Sequence, residues 1–130
     1  LPEVCQRILF LPRQSETAFL QLVALCDVNL DSWPLTGGNS SLDTLVTGTP
    51  LVTLTGDWPF QRLSAAIYQQ MACTDLIAST PEEYLALARK LVHDSAFYAE
   101  MQKKNAELAA SQPPVSPEGV AEAQTEGEDA

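Results

Sequence analysis

Residues 28–54 read VNLDSWPLTGGNSSLDTLVTGTPLVTL. Val28-Asn29-Leu30 has the form of a short strand. The stretch from Trp33 to Ser41 is rich in turn residues, with two adjacent glycines. A helix is expected over Leu42 to Thr47, with Gly48 at its C′ position and Pro50 blocking continuation. Leu51-Val52-Thr53-Leu54 is a continuous apolar-rich run ended by Gly56, the pattern of a strand buried on both faces. Strand, loop, helix, strand at this spacing is a βαβ unit, which implies parallel pairing and a right-handed crossover.

Working outward from that unit repeats the alternation. Upstream, Arg7-Ile8-Leu9-Phe10-Leu11, stopped by Pro12, is expected to form a buried parallel strand. Ser15 is placed to cap a helix that aligns Phe19, Leu22, Val23 and Cys26. Downstream, a helix from about Phe60 to Met71 aligns Leu63, Ala66, Ile67 and Met71, and Leu76-Ile77 suits a short edge strand. Thr80-Pro81-Glu82-Glu83 starts a further helix, with Thr80 as cap, Pro81 in the first position and Glu83 closing the box. That helix is expected to bury Tyr84, Ala88, Leu91 and Val92, and Arg89, Lys90 and His93 suit the dipole at its end. A last helix spans about Ser95 to Ala110. The fold class is α/β: a Rossmann-like parallel sheet with helices on both faces over residues 1–110. Residues 111–130 hold five acidic residues, no Lys or Arg, and Pro113, Pro114 and Pro117, and are expected to be a disordered acidic tail.

The chain has 130 residues, 7 Lys+Arg and 17 Asp+Glu, a net charge of −10. That sign disfavours nucleic acid or an anionic membrane surface as the main partner. No apolar run approaches the roughly 18 residues of a membrane span. Three cysteines (Cys5, Cys26, Cys73) without a CxxC pair favour reduced thiols in a cytoplasmic setting. The chain opens on Leu1, not Met, almost directly into an apolar run, so a piece of a longer protein is expected.

In parallel sheets ligands bind beyond the carboxyl ends of the strands. The loops leaving those ends are 12–15, 32–40 and 55–59. Gly37 and Gly38 let the backbone approach a ligand closely. The amides of Asn39, Ser40 and Ser41 then point out of a helix N-terminus, which binds phosphate through free N–H groups and the dipole. No Gly-Lys-Ser/Thr follows, so this is not a Walker A loop, and it is not GxGxxG. Asp43, one turn further, suits ribose hydroxyls. A capping box, Ser40 as cap and Asp43 three residues on, explains the same residues without a ligand. Arg13 suits a diphosphate and Gln14 a base edge, or both belong to a solvated turn. Phe19 suits core packing or stacking on a base. Arg62 is the only other basic residue near this rim, and Trp33 and Trp58 lie in its loops. His93, the single histidine, lies far along the chain from the glycines, which disfavours a histidine-dependent triad or metal site. Asp27 and Asp31 alternate along a strand and lack the clustered oxygens of a cation loop.

The segments RILFLPRQSETAFLQLVALCDVNLD, WPLTGGNSSLDTLVTGTPLVTL and LIASTPEEYLALARKLVHD together resemble the end of SPINDLY-like O-linked N-acetylglucosamine transferases. The resemblance covers about residues 5–105. It implies a GT-B fold, two Rossmann-like domains facing across a cleft, usually behind TPR repeats, of which this chain is most of the second, nucleotide-binding domain. It implies metal-independent transfer of a sugar from a UDP-sugar to Ser or Thr of proteins, with no cofactor. It also implies that the first domain, the acceptor cleft and the repeats lie outside this chain. By the resemblance, Asn39 and Ser40 lie where the diphosphate is held, Asp43 where an acid holds the ribose, and Gln14 and Phe19 on the segment flanking the uracil, which agrees with the diphosphate turn read above over Gly37, Gly38, Asn39, Ser40 and Ser41. The animal enzymes of the family have histidine at the positions of Gly38 and Phe19 and lysine at that of Glu16. The missing lysine brings Arg13 into contention for the diphosphate. The expected function is the UDP-sugar-binding portion of a protein O-glycosyltransferase, inactive in isolation. The alternatives are a nucleotide-binding module without turnover and a protein-interaction piece.

Overall fold

The computed structural model describes residues 2–111. The elements run α1 (Pro2–Cys5), α2 (Glu16–Leu25), β1 (Asn29–Leu30), α3 (Asn39–Val46), β2 (Leu51–Leu54), α4 (Leu63–Gln70), β3 (Ile77–Ala78), α5 (Pro81–His93) and α6 (Ser95–Ser111). The expected tail, apart from Ser111 at the end of α6, lies outside the described residues.

The three strands form a parallel sheet in the order β1-β2-β3. Asn29 pairs with Leu51 and Leu30 with Val52; Thr53 pairs with Ile77 and Leu54 with Ala78. All four residues of β2 are buried. Successive strand side chains point to opposite faces, so the sheet is covered on both. The βαβ unit of residues 28–54 is therefore present, with its helix starting earlier than Leu42, and the short edge strand expected at Leu76-Ile77 lies at Ile77-Ala78.

Arg7 to Leu11 is not a strand. The chain leaves α1 through turns in which Arg7 N–H donates to Val4 O and Ile8 N–H to Cys5 O. Leu9 and Phe10 are 82% and 94% exposed. A strand exists only by pairing, and among the described residues nothing pairs with this run. Apolarity alone does not separate such a segment from a buried strand.

Local rules hold at most helix ends. Ser15 caps α2, its hydroxyl accepting from Ala18 N–H at 3.3 Å. Thr80 caps α5 in the same way through Glu83 N–H, while the Glu83 carboxylate accepts from Ser79 N–H at 2.8 Å. Gly48 follows the C-cap of α3 with φ +79°, a conformation glycine adopts without steric cost. A Cβ there would meet nothing within 4 Å, so the cost of adding one is conformational only. Gly48→Ala is expected to destabilise the chain by about 1 kcal/mol in urea unfolding.

The core gathers Leu45, Leu51, Val52, Tyr68, Cys73, Leu76, Leu91 and Met101. Three buried faces differ from the apolar pattern. In α4 the buried residues are Ser64, Ala65 and Tyr68, and Leu63 is 44% exposed. The Tyr68 hydroxyl accepts from Leu51 N–H at 3.1 Å and donates to Leu51 O at 2.8 Å. Polar groups satisfied in this way are buried without penalty, which hydrophobic spacing cannot report. In α5 Leu91 is buried, but Val92 points outward. Cys26 is the exposed C-cap of α2, not part of its buried face.

Candidate nucleotide-diphosphate site

Helix α3 begins at Asn39, three residues earlier than its apolar pattern suggests, so Asn39, Ser40 and Ser41 form its first turn. Gly38 is the N-cap, and no side chain caps it. The capping box of Ser40 and Asp43 is therefore absent. Asp43 sits in the second turn, where the helix's own carbonyls satisfy the amides. Among the described residues no acceptor takes the amides of Gly38, Asn39 or Ser40. Ser41 N–H does have a partner, Gly38 O at 3.1 Å, so the open set is shifted one residue from the expected one.

Ahead of these amides the backbone is held tightly. Asp31, directly after β1, accepts from Ser32 N–H at 3.0 Å and Gly37 N–H at 2.9 Å through Oδ1. Its Oδ2 accepts from the Thr53 hydroxyl at 2.7 Å. Tyr84 Oη donates to the Asp31 carbonyl at 2.9 Å. Ser64 Oγ donates to Gly37 O at 2.8 Å and lies 2.7 Å from Ser41 Oγ. Thr36 N–H and Oγ1 both reach Phe60 O. A Cβ on Gly37 would lie 2.5 Å from Ser41 Oγ and 2.8 Å from Ser40 Oγ, whereas one on Gly38 would meet only Leu63 Cδ1 at 4.0 Å. The two glycines thus differ: the first is required by close approach, the second is not.

A cleft of about 220 Å³ opens beside this turn, lined in part by Phe19, Asp31, Gly37, Ser40 and Ser41. The fold brings these five together. It does not bring in Arg13 or Gln14, which are exposed on the irregular segment before α2, where Gln14 Nε2 donates to Pro12 O at 2.8 Å. Asn39 is exposed on the helix start, and Asp43 is half-buried one turn below it, on the same face. A second cleft, of about 400 Å³, lies beyond β2 and β3 between Thr55, Asp57, Arg62, Gln69 and Ser79. Arg62 Nε donates to Gly56 O there at 2.5 Å. His93 is exposed in the last turn of α5. Among the described residues, no group of three or more His, Cys, Asp or Glu could hold a metal ion. No described helix is long and apolar enough to cross a membrane.

Burial, and then the charge of Glu16, raise the Asp43 pKa above its ordinary value. A carboxyl whose pKa is higher folded than unfolded favours folding in its protonated form. It therefore contributes stability at low pH that is lost as pH rises through its folded pKa. Asp43→Asn is expected to raise the melting temperature at pH 7, with the gain vanishing at pH below both pKa values. Thermal melts across pH read this, and a lower melting temperature at pH 7 would show that the carboxylate stabilises the fold.

The family model described as Glycosyl transferase family 41 matches residues 4–114. The chain belongs to glycosyl transferase family 41. Among relatives of this family 41 chain, a probable UDP-N-acetylglucosamine–peptide N-acetylglucosaminyltransferase SPINDLY from Hordeum vulgare is 29% identical over 94 residues, covering 72% of this chain and 10% of the relative. A UDP-N-acetylglucosamine–peptide N-acetylglucosaminyltransferase from Caenorhabditis elegans is 30% identical over 98 residues, covering 75% of this chain and 8% of that one. A solved structure of a mutant Thermobaculum terrenum O-GlcNAc transferase superposes with a TM-score of 0.78 at 28% identity, covering 82% of this chain and 20% of that one. The chain thus spans about a tenth of the length of the curated relatives it matches. Family membership agrees with the α/β fold and with the resemblance carried by the glycine turn.

Asp31, Ser64, Thr36 and Tyr84 carry the turn, and sequence reasoning gave none of them a role in it. Asp31 was the legible one. A carboxylate immediately after a strand and six residues before a glycine pair is placed to accept the amides of a returning loop.

Proposed function

We propose that this chain is the UDP-binding portion of a protein O-glycosyltransferase that moves N-acetylglucosamine from UDP-N-acetylglucosamine to Ser or Thr of protein acceptors. The observation that carries the reading is the open turn at the start of α3. Among the described residues the amides of Gly38, Asn39 and Ser40 have no acceptor, beside a cleft lined by Phe19, Ser40 and Ser41. A helix N-terminus of this kind favours a diphosphate through N–H donation and the dipole. In the proposed assignment the open amides of Gly38, Asn39 and Ser40, in the turn from Gly37 to Ser41, hold the diphosphate. Asp43 holds the ribose and Phe19 flanks the base, while the roles expected for Arg13 and Gln14 are not supported, since both lie on the exposed segment before α2. The relatives, named as UDP-N-acetylglucosamine–peptide N-acetylglucosaminyltransferases, one of them as probable, support the donor and acceptor classes. Acceptor binding and the repeats belong, on this reading, to family 41 sequence outside the chain. A reducing, cytoplasmic setting goes with it, supported by the three unpaired cysteines.

The test is a pair of titrations, UDP and inorganic phosphate, on wild type and Asp43→Ala at fixed ionic strength. With one wall open, wild type is expected to bind UDP in the millimolar to high-micromolar range. Asp43→Ala is expected to weaken UDP by roughly 1.5–3 kcal/mol, the worth of a hydrogen bond to a charged group, and to leave phosphate nearly unchanged. Equal losses for both ligands would remove the ribose assignment.

A further inference from the structure

We propose that Asp31 and Ser64 are positioning residues that clamp Gly37 from both sides and thereby preset the diphosphate-binding amides. The inference rests on the proposed nucleotide reading but concerns residues that reading does not use. Gly37 is the last residue before the open amides, and both of its backbone groups are taken. Asp31 Oδ1 accepts its N–H at 2.9 Å, and Ser64 Oγ donates to its carbonyl at 2.8 Å. Each side of the clamp is anchored in a different part of the fold. Asp31 is tied to the sheet through the buried Thr53 hydroxyl at 2.7 Å and to α5 through Tyr84 at 2.9 Å. Ser64 is fully buried on α4 and also meets Ser41 Oγ at 2.7 Å. With the Gly37 peptide fixed at both ends, the amides that follow are held facing outward before any ligand arrives. Preorganised donors bind an anion more tightly than donors that must be ordered on binding. Asp31 also lines the cleft, but both of its carboxylate oxygens are engaged, Oδ1 by Ser32 and Gly37 N–H and Oδ2 by the Thr53 hydroxyl.

The test combines amide exchange by NMR at Gly37, Ser41 and Leu42 with UDP and phosphate titrations. It uses the full chain and its variants Asp31→Asn, Asp31→Ala and Ser64→Ala. Asp31→Ala is expected to speed exchange at these amides about tenfold while Leu51 to Leu54 keep their protection, and to raise the Kd for UDP and phosphate alike by about tenfold. This equal loss separates it from Asp43, whose removal is expected to spare phosphate. Asp31→Asn keeps an oxygen for Gly37 N–H and is expected to recover most of both effects, which shows that the acceptor atom and not the negative charge sets the turn. Should Asp31→Ala fail to fold, Ser64→Ala carries the same expectation from the carbonyl side. Unchanged exchange at Gly37 and Ser41, or equal loosening of β2, would overturn the clamp. If exchange responds as expected but wild type binds neither UDP nor phosphate, the nucleotide reading fails and the clamp on the turn stands.

Discussion

Incubated alone with UDP-N-acetylglucosamine and an acceptor peptide, the purified 130-residue chain is expected to transfer no sugar. The described residues supply open backbone amides at the start of α3 and a cleft of about 220 Å³ beside them. They supply little for the acceptor hydroxyl. The single histidine is exposed at the end of α5, and neither cleft is lined by a histidine. Holding donor and acceptor in reactive geometry is worth on the order of 7–11 kcal/mol of barrier. On the proposed reading the chain holds only the donor and forgoes most of that, which corresponds to a rate below detection. Mass spectrometry of the peptide after prolonged incubation reads the outcome. A mass gain of one N-acetylhexosamine above a protein-free control would show that this chain carries an acceptor site and a complete reaction centre.

The parts of this fold that sequence reveals are those whose signal is local. The βαβ unit from Val28 to Leu54 is legible because Gly48 and Pro50 mark the helix end and four successive residues of β2 suit burial on both faces. The caps at Ser15 and Thr80 are legible because one hydroxyl serves one nearby amide. What sequence hides is pairing at a distance. Arg7 to Leu11 has strand composition, yet composition does not say whether a neighbour is present to share a ladder. Ser64 and Tyr68 look like solvent-facing positions of α4 until Gly37, Ser41 and Leu51 are placed opposite them. The same limit governs the site. The glycine pair and the helix that follows it are legible in the sequence, but two things depend on where α3 starts in space: which amides remain open, and whether Ser40 caps. Asp31 reaches six residues forward to Gly37 and twenty-two to Thr53, and only the second contact distinguishes a structural anchor from a solvated loop acid.

Substituting the two neighbouring glycines one at a time is expected to give opposite results. Gly37→Ala would place a methyl group 2.5 Å from Ser41 Oγ, 2.8 Å from Ser40 Oγ and 3.3 Å from Asp31 Oδ1. Two of these atoms lie on short side chains in the first turn of α3, and Ser41 Oγ is also held against Ser64. They cannot all retreat without turning the helix start or breaking the clamp on Gly37. Overpacking of this kind costs typically about 1–3 kcal/mol, and here the strain falls on the amides assigned to the diphosphate. Gly37→Ala is therefore expected to lower stability by that amount and to weaken UDP by tenfold or more. Gly38→Ala adds a methyl whose nearest neighbour is Leu63 Cδ1 at 4.0 Å, an ordinary contact. The φ of −112° at Gly38 lies outside the left-handed region. Its amide is still available to a ligand after the substitution. Gly38→Ala is expected to leave both the melting temperature and the UDP affinity close to wild type. Thermal melts and UDP titrations on the two variants read the contrast directly. Equal losses for both glycines would mean that flexibility of the pair, and not the close approach at Gly37, is what the turn requires.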